Sequence, residues 1–244
     1  MKRILTLFIT CSCFITSAQD KPLTGASTNN LGLNAADEAL LVASVLDISK
    51  ISGVFYEFDD IRFGRVPTDG SFLLFDTWKN KGEIFIAGDR LVVSNINYHV
   101  DEGKFISQMD NDSTFVYEFK GIDRIVVNKR PFISLYSSKD GGIKVYEVIA
   151  ETDELSLLKN YYSNVQTGSP NPMLNRARNK IRLKSNYYLM RNGGLVPFNS
   201  KKSGIRNMLE PEKAAQLERY VKEKKLSYKK DADLKRMFQY LKML

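Results

Sequence analysis

The clearest pattern in the chain is an alternation of apolar and polar positions that begins near Val54 and returns in short runs to about residue 162. Residues 84–87 and 91–93 flank Gly88-Asp89 and read as a hairpin, and glycine at the first turn position predicts a type II′ turn. Further strands are expected over 114–119, 122–127, 132–136, 143–150 and 155–162, with turn clusters at 137–142 (SSKDGG) and 152–154 (TDE). Strands this short and this closely spaced predict an antiparallel β meander, closed as a sandwich or an open barrel.

The pattern changes at both ends. Asn34 can cap a helix over the alanine- and leucine-rich stretch that follows it, to about residue 51. Residues 167–172 (TGSPNP) break the strand pattern with two prolines. Beyond the break, 176–184 reads as an extended segment, and 187–190 and 195–198 as a hairpin across Asn192-Gly193-Gly194. Ser203 is placed to cap a short helix ending near Leu209, and Pro211 suits the first turn of a helix to about Lys225, with Leu217, Tyr220 and Val221 inward. Asp231 is placed to cap a last helix whose Leu234, Met237, Phe238 and Leu241 fall at i, i+3, i+4 and i+7. The expected class is α+β, an antiparallel β meander followed by a C-terminal hairpin and helical unit.

The first 18 residues fit none of these elements. A short cationic start, an apolar run over 4–15 and the small residues Thr16-Ser17-Ala18 read as a secretory signal cleaved before Gln19. The expected organisation is a signal peptide (1–18), a flexible lead-in (19–33), a helix (34–51), an antiparallel β domain (52–166) and a basic C-terminal unit (167–244). Both cysteines, Cys11 and Cys13, lie in the signal, so the mature chain is expected to have neither disulfide nor thiolate chemistry. The residues before them lack the Leu at −3 and the Gly or Ala at −1 of a lipoprotein site, which favours a periplasmic or extracellular protein without a lipid anchor. No later apolar run is long enough for a transmembrane span in the mature chain.

Composition is that of a globular protein, with 43% hydrophobic and 26% charged residues, but charge is unevenly distributed. Residues 170–244 hold nineteen Lys and Arg against six Asp and Glu, whereas 19–169 hold fifteen against twenty-two. An acidic body thus precedes a basic end, which points to an anionic partner or to mutual attraction of the two parts.

Four stretches carry a resemblance: 70–78 (GSFLLFDTW), 144–149 (KVYEVI) with 155–159 (LSLLK), 186–189 (NYYL) and 217–240 (LERYVKEKKLSYKKDADLKRMFQY). In these the chain resembles a broad group of secreted flavobacterial (Bacteroidetes) proteins of unknown function. The resemblance implies a cell-envelope or secreted setting and brings no activity, cofactor or site residue with it.

Candidate chemistry is sparse. His99 is the single histidine, and no HExxH, GxSxG or Walker loop is present. Residues 110–114 (DNDST) begin like a calcium loop, but Phe115 stands at the sixth position and Gly121 at the twelfth, so a polar turn is the simpler reading. The acid pairs Asp59-Asp60, Asp101-Glu102 and Asp153-Glu154 read as turns, and neighbouring acids in one strand would point to opposite faces. In Tyr161-Tyr162 and Tyr187-Tyr188, alternation sends one ring of each pair inward.

The sharpest constellation is Arg176, Arg178, Lys180, Arg182 and Lys184, five cations at strict i, i+2 spacing. An extended backbone lines all five on one face, where they would bind anions by multivalent charge or guard an exposed strand edge. The expected partners are an anionic envelope glycan, a lipid surface or another envelope protein. Nucleic acid is disfavoured, because no aromatic platform interleaves with the row and export separates the protein from it. The expected function is a non-enzymatic envelope binding or structural module with no cofactor; the alternatives are a carboxylate hydrolase and a small-ligand or lipid carrier with a cavity in the β domain.

Overall fold

The computed structural model describes residues 51–57, 68–109, 113–138, 140–168 and 178–244. The expected signal (1–18) and lead-in (19–33), the helix expected over 34–51 except for Ile51, Asp59-Asp60, residues 110–112 and Arg176 lie outside the described residues.

The chain is α+β, a sandwich of two β-sheets with helices at its C-terminal end, not a closed barrel. The smaller sheet runs β1-β7-β6-β5, from β1 (Gly53–Glu57), β7 (Ser113–Tyr117), β6 (Lys104–Gln108) and β5 (Ile96–His99). The larger sheet runs β13-β12-β11-β10-β9-β8-β3-β4. Its strands are β3 (Lys81–Ile86), β4 (Asp89–Ser94), β8 (Ile122–Val127), β9 (Arg130–Ser137), β10 (Gly142–Glu151), β11 (Leu155–Gln166), β12 (Asn179–Arg191) and β13 (Gly194–Phe198). A short β2 (Thr68–Asp69) lies parallel to the start of β12. Three helices follow: α1 (Lys202–Met208), α2 (Pro211–Glu223) and α3 (Asp231–Leu241).

The turns explain the meander. Ile86 pairs with Asp89, so the first hairpin turns on Ala87-Gly88, with φ of 50° and 87°. Two consecutive positive φ angles make this a type I′ turn, one residue earlier than the type II′ turn expected around Gly88-Asp89. The same geometry recurs at Asn128-Lys129 and Asn192-Gly193, where asparagine tolerates the left-handed region. The expected segment 176–184, from Asn179 onward, and the expected strand 187–190 are joined in the single strand β12, which pairs with β11 without a break from Gln166↔Lys180 to Leu155↔Arg191. The strands after residue 167 therefore extend the larger sheet that β3, β4 and β8–β11 begin.

Two apolar cores lie on one face of the large sheet. Between the sheets, Phe75, Tyr98, Phe105 and Phe132 fill the sandwich with ring centroids 4.9–6.4 Å apart, surrounded by Ile84, Ile96, Ile125 and Val145. At the far end of β11 and β12, Leu157 and Leu189 meet Leu217 and Val221 of α2 and Leu234, Met237, Phe238 and Leu241 of α3. The expected amphipathic face of the last helix is buried as read. Each such side chain contributes about 1.5–3 kcal/mol of burial.

Two local details differ from the sequence reading. Ser203 lies inside α1, and Lys201 takes the N-cap position without a side-chain bond. Asp231 is the first residue of α3 rather than its cap, because its carboxylate is engaged by Lys159 and Tyr187 on the sheet below. In the first turn of α1, a Cβ on Gly204 would stand 1.9 Å from the carbonyl oxygen of Asn199, so the helix can pack against its own approach loop only with glycine there.

The segment between β2 and β3 has no ladder of its own beyond one bridge, Leu73↔His99, and is held by buried asparagines. Asn97 Nδ2 donates to the carbonyls of Phe75 (2.9 Å) and Thr77 (3.1 Å), and its Oδ1 accepts from Phe75 N–H (3.1 Å). Asn80 Nδ2 donates to Thr77 O (2.6 Å) and Ile96 O (3.0 Å). These amides do the work of missing backbone rungs, which is how an irregular segment can lie against a core.

Candidate functional site

Three features on β10, β11 and β12 carry chemistry. The first is the cationic row. Lys180, Arg182 and Lys184 are exposed on one face of β12, while Ile181 is buried and Leu183 packs against the sandwich core on the other. Their cross-strand partners on β11 are Gln166, Asn164 and Tyr162, none of them an acid. The edge contact of the Tyr146 and Tyr188 rings (5.4 Å) places β10's even-numbered residues on this same face, so exposed Lys144 joins it by alternation. Arg178 precedes the strand and pairs with Asp69 at 3.1 Å. The structure thus brings together Lys180, Arg182 and Lys184, and gives Arg178 an acidic partner at the end of the row.

The second feature is a cluster of charges and tyrosines on the opposite face, where the two apolar cores meet. Arg130 binds both oxygens of Glu147 (2.8 Å each) and donates to the Tyr161 hydroxyl (2.7 Å), which in turn donates to Glu147 Oε2 (2.5 Å). Lys159 donates to Asp231 Oδ2 (2.6 Å), and Tyr187 donates to Asp231 Oδ1. The Lys159 ammonium lies 5.2 Å from the Tyr161 ring centroid and 5.4 Å from that of Tyr187, a cation held between two aromatic faces.

Protonation follows from this geometry. Burial, then the Glu147 charge, raises the Tyr161 pKa, and burial, then the bond to Asp231, raises that of Tyr187, so both hydroxyls stay protonated and donate. Burial works against the Arg130 charge, but the bonds from Glu147 outweigh it and hold the guanidinium pKa above its ordinary value. The expectation that one ring of each tyrosine pair turns inward is met by Tyr161 and Tyr187, while Tyr162 stays exposed. Sequence reading did not single out Arg130, Glu147, Lys159 or Asp231 as a group. The one available signal was the i, i+2 spacing of Lys159 and Tyr161, which places them on a common face.

The third feature is a cleft of about 240 Å³ between β10 and β11. The ladder between these strands ends at Glu147↔Lys159, two rungs past a bulge in β10 between Val148 and Ala150. A bulge adds local twist, and the strands part. Beyond the last rung, Asn160 Nδ2 bridges the gap to Val145 O (2.9 Å). Ile143 and Lys144 form one bank, residues 160–163 the other, and the turn between β5 and β6 the floor. Ser163 Oγ donates to Asp101 Oδ1 across that floor.

The remaining candidates fall into structural roles. His99 ends β5, is buried, stacks on Phe72 (5.6 Å) and accepts the Glu102 N–H at Nδ1 (3.1 Å). Burial lowers its pKa against the opposing charges of Glu102 and Asp101. Asp101-Glu102 and Asp153-Glu154 sit in turns between strands, as read. A scan against protein-family models and searches of curated proteins and solved structures give no match to this chain.

Proposed function

We propose that this protein is an exported cell-envelope module that acts by binding, and that it holds anionic partners on the outer face of β11 and β12. The observation that carries the reading is the exposed row Lys180, Arg182 and Lys184, with no acid opposite it on β11 and a single one, Asp69 of β2, beside Lys180, where it also pairs with Arg178. Alternate strand residues lie about 7 Å apart, comparable to the screening length at physiological salt, so the three charges raise one another's potential and favour a multivalent anion. Arg182 and Lys184 also stand in the open stretch of β12 between its pairings with β2 and β13, so these two cations discourage pairing with a stray strand.

Two observations support binding over the other readings. The interior of the sandwich is filled by aromatic rings in mutual contact, mostly edge-on or tilted, which leaves it packed rather than shaped to carry a lipid. The buried carboxylate of Glu147 is bonded at both oxygens by Arg130 and Tyr161, an arrangement that ties it into the sheet rather than presenting it to a substrate.

The test is retention of the chain from residue 19 on a sulfated polysaccharide column. Retention is expected to fall roughly tenfold or more as salt rises from low to physiological, and to be lost in the combined variant Lys180→Gln, Arg182→Gln, Lys184→Gln with an unchanged melting temperature. Equal retention of the variant overturns the assignment of this face.

A further inference from the structure

The parting of β10 from β11 leaves two strand edges facing one another across an open cleft. Val145 O points across it, as its bond from Asn160 shows. Backbone groups alternate in direction along a strand, so the N–H and C=O of Ile143 point the same way. On the other bank, Lys159 pairs with Glu147, so by the same alternation Tyr161, Ser163 and Val165 direct their backbone groups into the gap while the even-numbered residues serve β12. No β10–β11 rung is formed past Glu147↔Lys159 among the described residues. An edge of this kind is a template for another extended chain.

The side chains flanking the gap differ between the two faces. On the inner face stand Ile143 (68% exposed), its cross-strand neighbour Tyr136 (66%) and Val165 (48%), large apolar groups left in water. On the outer face stand Lys144, Lys184 and Arg182. A strand lying in the gap would turn alternate side chains to these two faces. Its inward residues would lie over the floor formed by Val100, Asp101, Glu102 and Gly103 and meet Ile143 on one bank and, past the end of the cleft, Val165 on the other, and its outward residues would meet three cations.

We propose that the cleft between β10 and β11 receives an extended segment of a partner protein, in which acidic and apolar residues alternate. The backbone of the segment pairs with the free edge of β11, its apolar side chains cover Ile143 and Val165, and its carboxylates meet Lys144, Arg182 and Lys184. The inference rests on the reading of the outer face as an anion-binding surface and names the anion as a polypeptide strand. The bulge in β10 is then the device that opens the sheet, and Asn160 the side chain that stops the opening from running further into it.

The experiment uses the chain from residue 19 and three probes: a peptide of alternating Glu and Val, a peptide of the same composition with all Glu preceding all Val, and heparin. The alternating peptide is expected to bind about tenfold more tightly than the block peptide. It should slow hydrogen exchange at the amides of Ile143, Tyr161, Ser163 and Val165. Ile143→Lys separates this proposal from simple charge attraction, because it adds a cation at an exposed position. Strand addition predicts about tenfold weaker binding of the alternating peptide to this variant with heparin binding kept or strengthened, whereas charge alone predicts tighter binding of all three probes. Equal affinity for the two peptides, absence of protection at the four amides, or tighter peptide binding to Ile143→Lys overturns the proposal. Loss of heparin binding in the Lys180, Arg182 and Lys184 variant is read independently and bears on the outer face alone.

Discussion

Lys159 and Glu147 stand directly opposite each other on neighbouring strands, yet neither neutralises the other. Glu147 is bound by Arg130 and Tyr161, and Lys159 reaches 2.6 Å to Asp231, 72 residues later, at the start of α3. The pair on the sheet is thereby split between two tasks, one within the sheet and one that fastens the helices to it. With Lys159 only 13% exposed, removing one partner leaves a poorly hydrated charge behind. Asp231→Asn is expected to lower stability by about 1.5–3 kcal/mol. It should also raise hydrogen exchange in α3 more than in β5–β7. A uniform rise across the chain would show that the contact does not act locally on the helix.

Phe238 is fully buried between α3 and the sheet. Phe238→Ala is expected to cost about 3–5 kcal/mol, the sum of lost burial and a residual cavity, read from the denaturation midpoint. An unchanged midpoint would mean that the helix is not docked in solution.

Asn97 is fully buried and serves the Phe75 and Thr77 backbone with both ends of its amide. Asn97→Leu conserves volume but leaves those groups without their partner, at about 1–3 kcal/mol for each unsatisfied group. The expected result is a large loss of stability, with exchange at the Phe75 amide rising first. A loss below about 1 kcal/mol would assign the segment to other restraints.

Gly204→Ala would improve helix propensity in the abstract, but here its Cβ meets the Asn199 backbone. The substitution is expected to destabilise by about 1–3 kcal/mol, as in other overpacked positions. Stabilisation by thermal melting would show that the approach loop yields.

The burial of His99 sets the sign of a pH dependence. Its pKa in the fold is lowered, chiefly by burial, so as pH falls below about 6.5 the unfolded chain takes up the proton first. The contribution is fully present above the unfolded value and is lost as pH falls toward the folded one. Protonation at Nδ1 would also break the bond accepted from Glu102 N–H. The melting temperature should drop as pH falls below about 6.5, and His99→Gln should flatten that drop. An equal slope in the variant would assign the effect to the carboxylates.

Much of the architecture is legible in local pattern. The strand over 122–127 and the apolar face of α3 follow from side-chain alternation and helical period, signals that reside in a few adjacent residues. What was misread depended on contacts from afar. The Asp231 carboxylate looks like a cap until Lys159 and Tyr187 are seen to engage it. The first hairpin shifts by one residue because the register with β8 and β4, not the glycine alone, decides which residues turn. The row over 180–184 was readable because period-two spacing needs only an extended backbone. The parting of β10 and β11 was not, because a bulge is a relation between two strands and leaves no mark in either alone.

The unbroken β11–β12 ribbon also has a kinetic consequence. From β8 to β13 each strand pairs with the next in sequence, so every loop to be closed is short and its entropic cost small. By contrast, β1 must find β7, β3 must find β8, and β2 must meet β12 across more than a hundred residues. The order of assembly is therefore expected to run against the order of synthesis, with the C-terminal meander and its helices forming first and the earlier strands closing over them. Pulse-labelled hydrogen exchange should find the β11 and β12 amides protected before those of β1 and β5. A chain built this way stays unfinished until its last third has emerged, so its first two thirds cannot close the larger sheet alone.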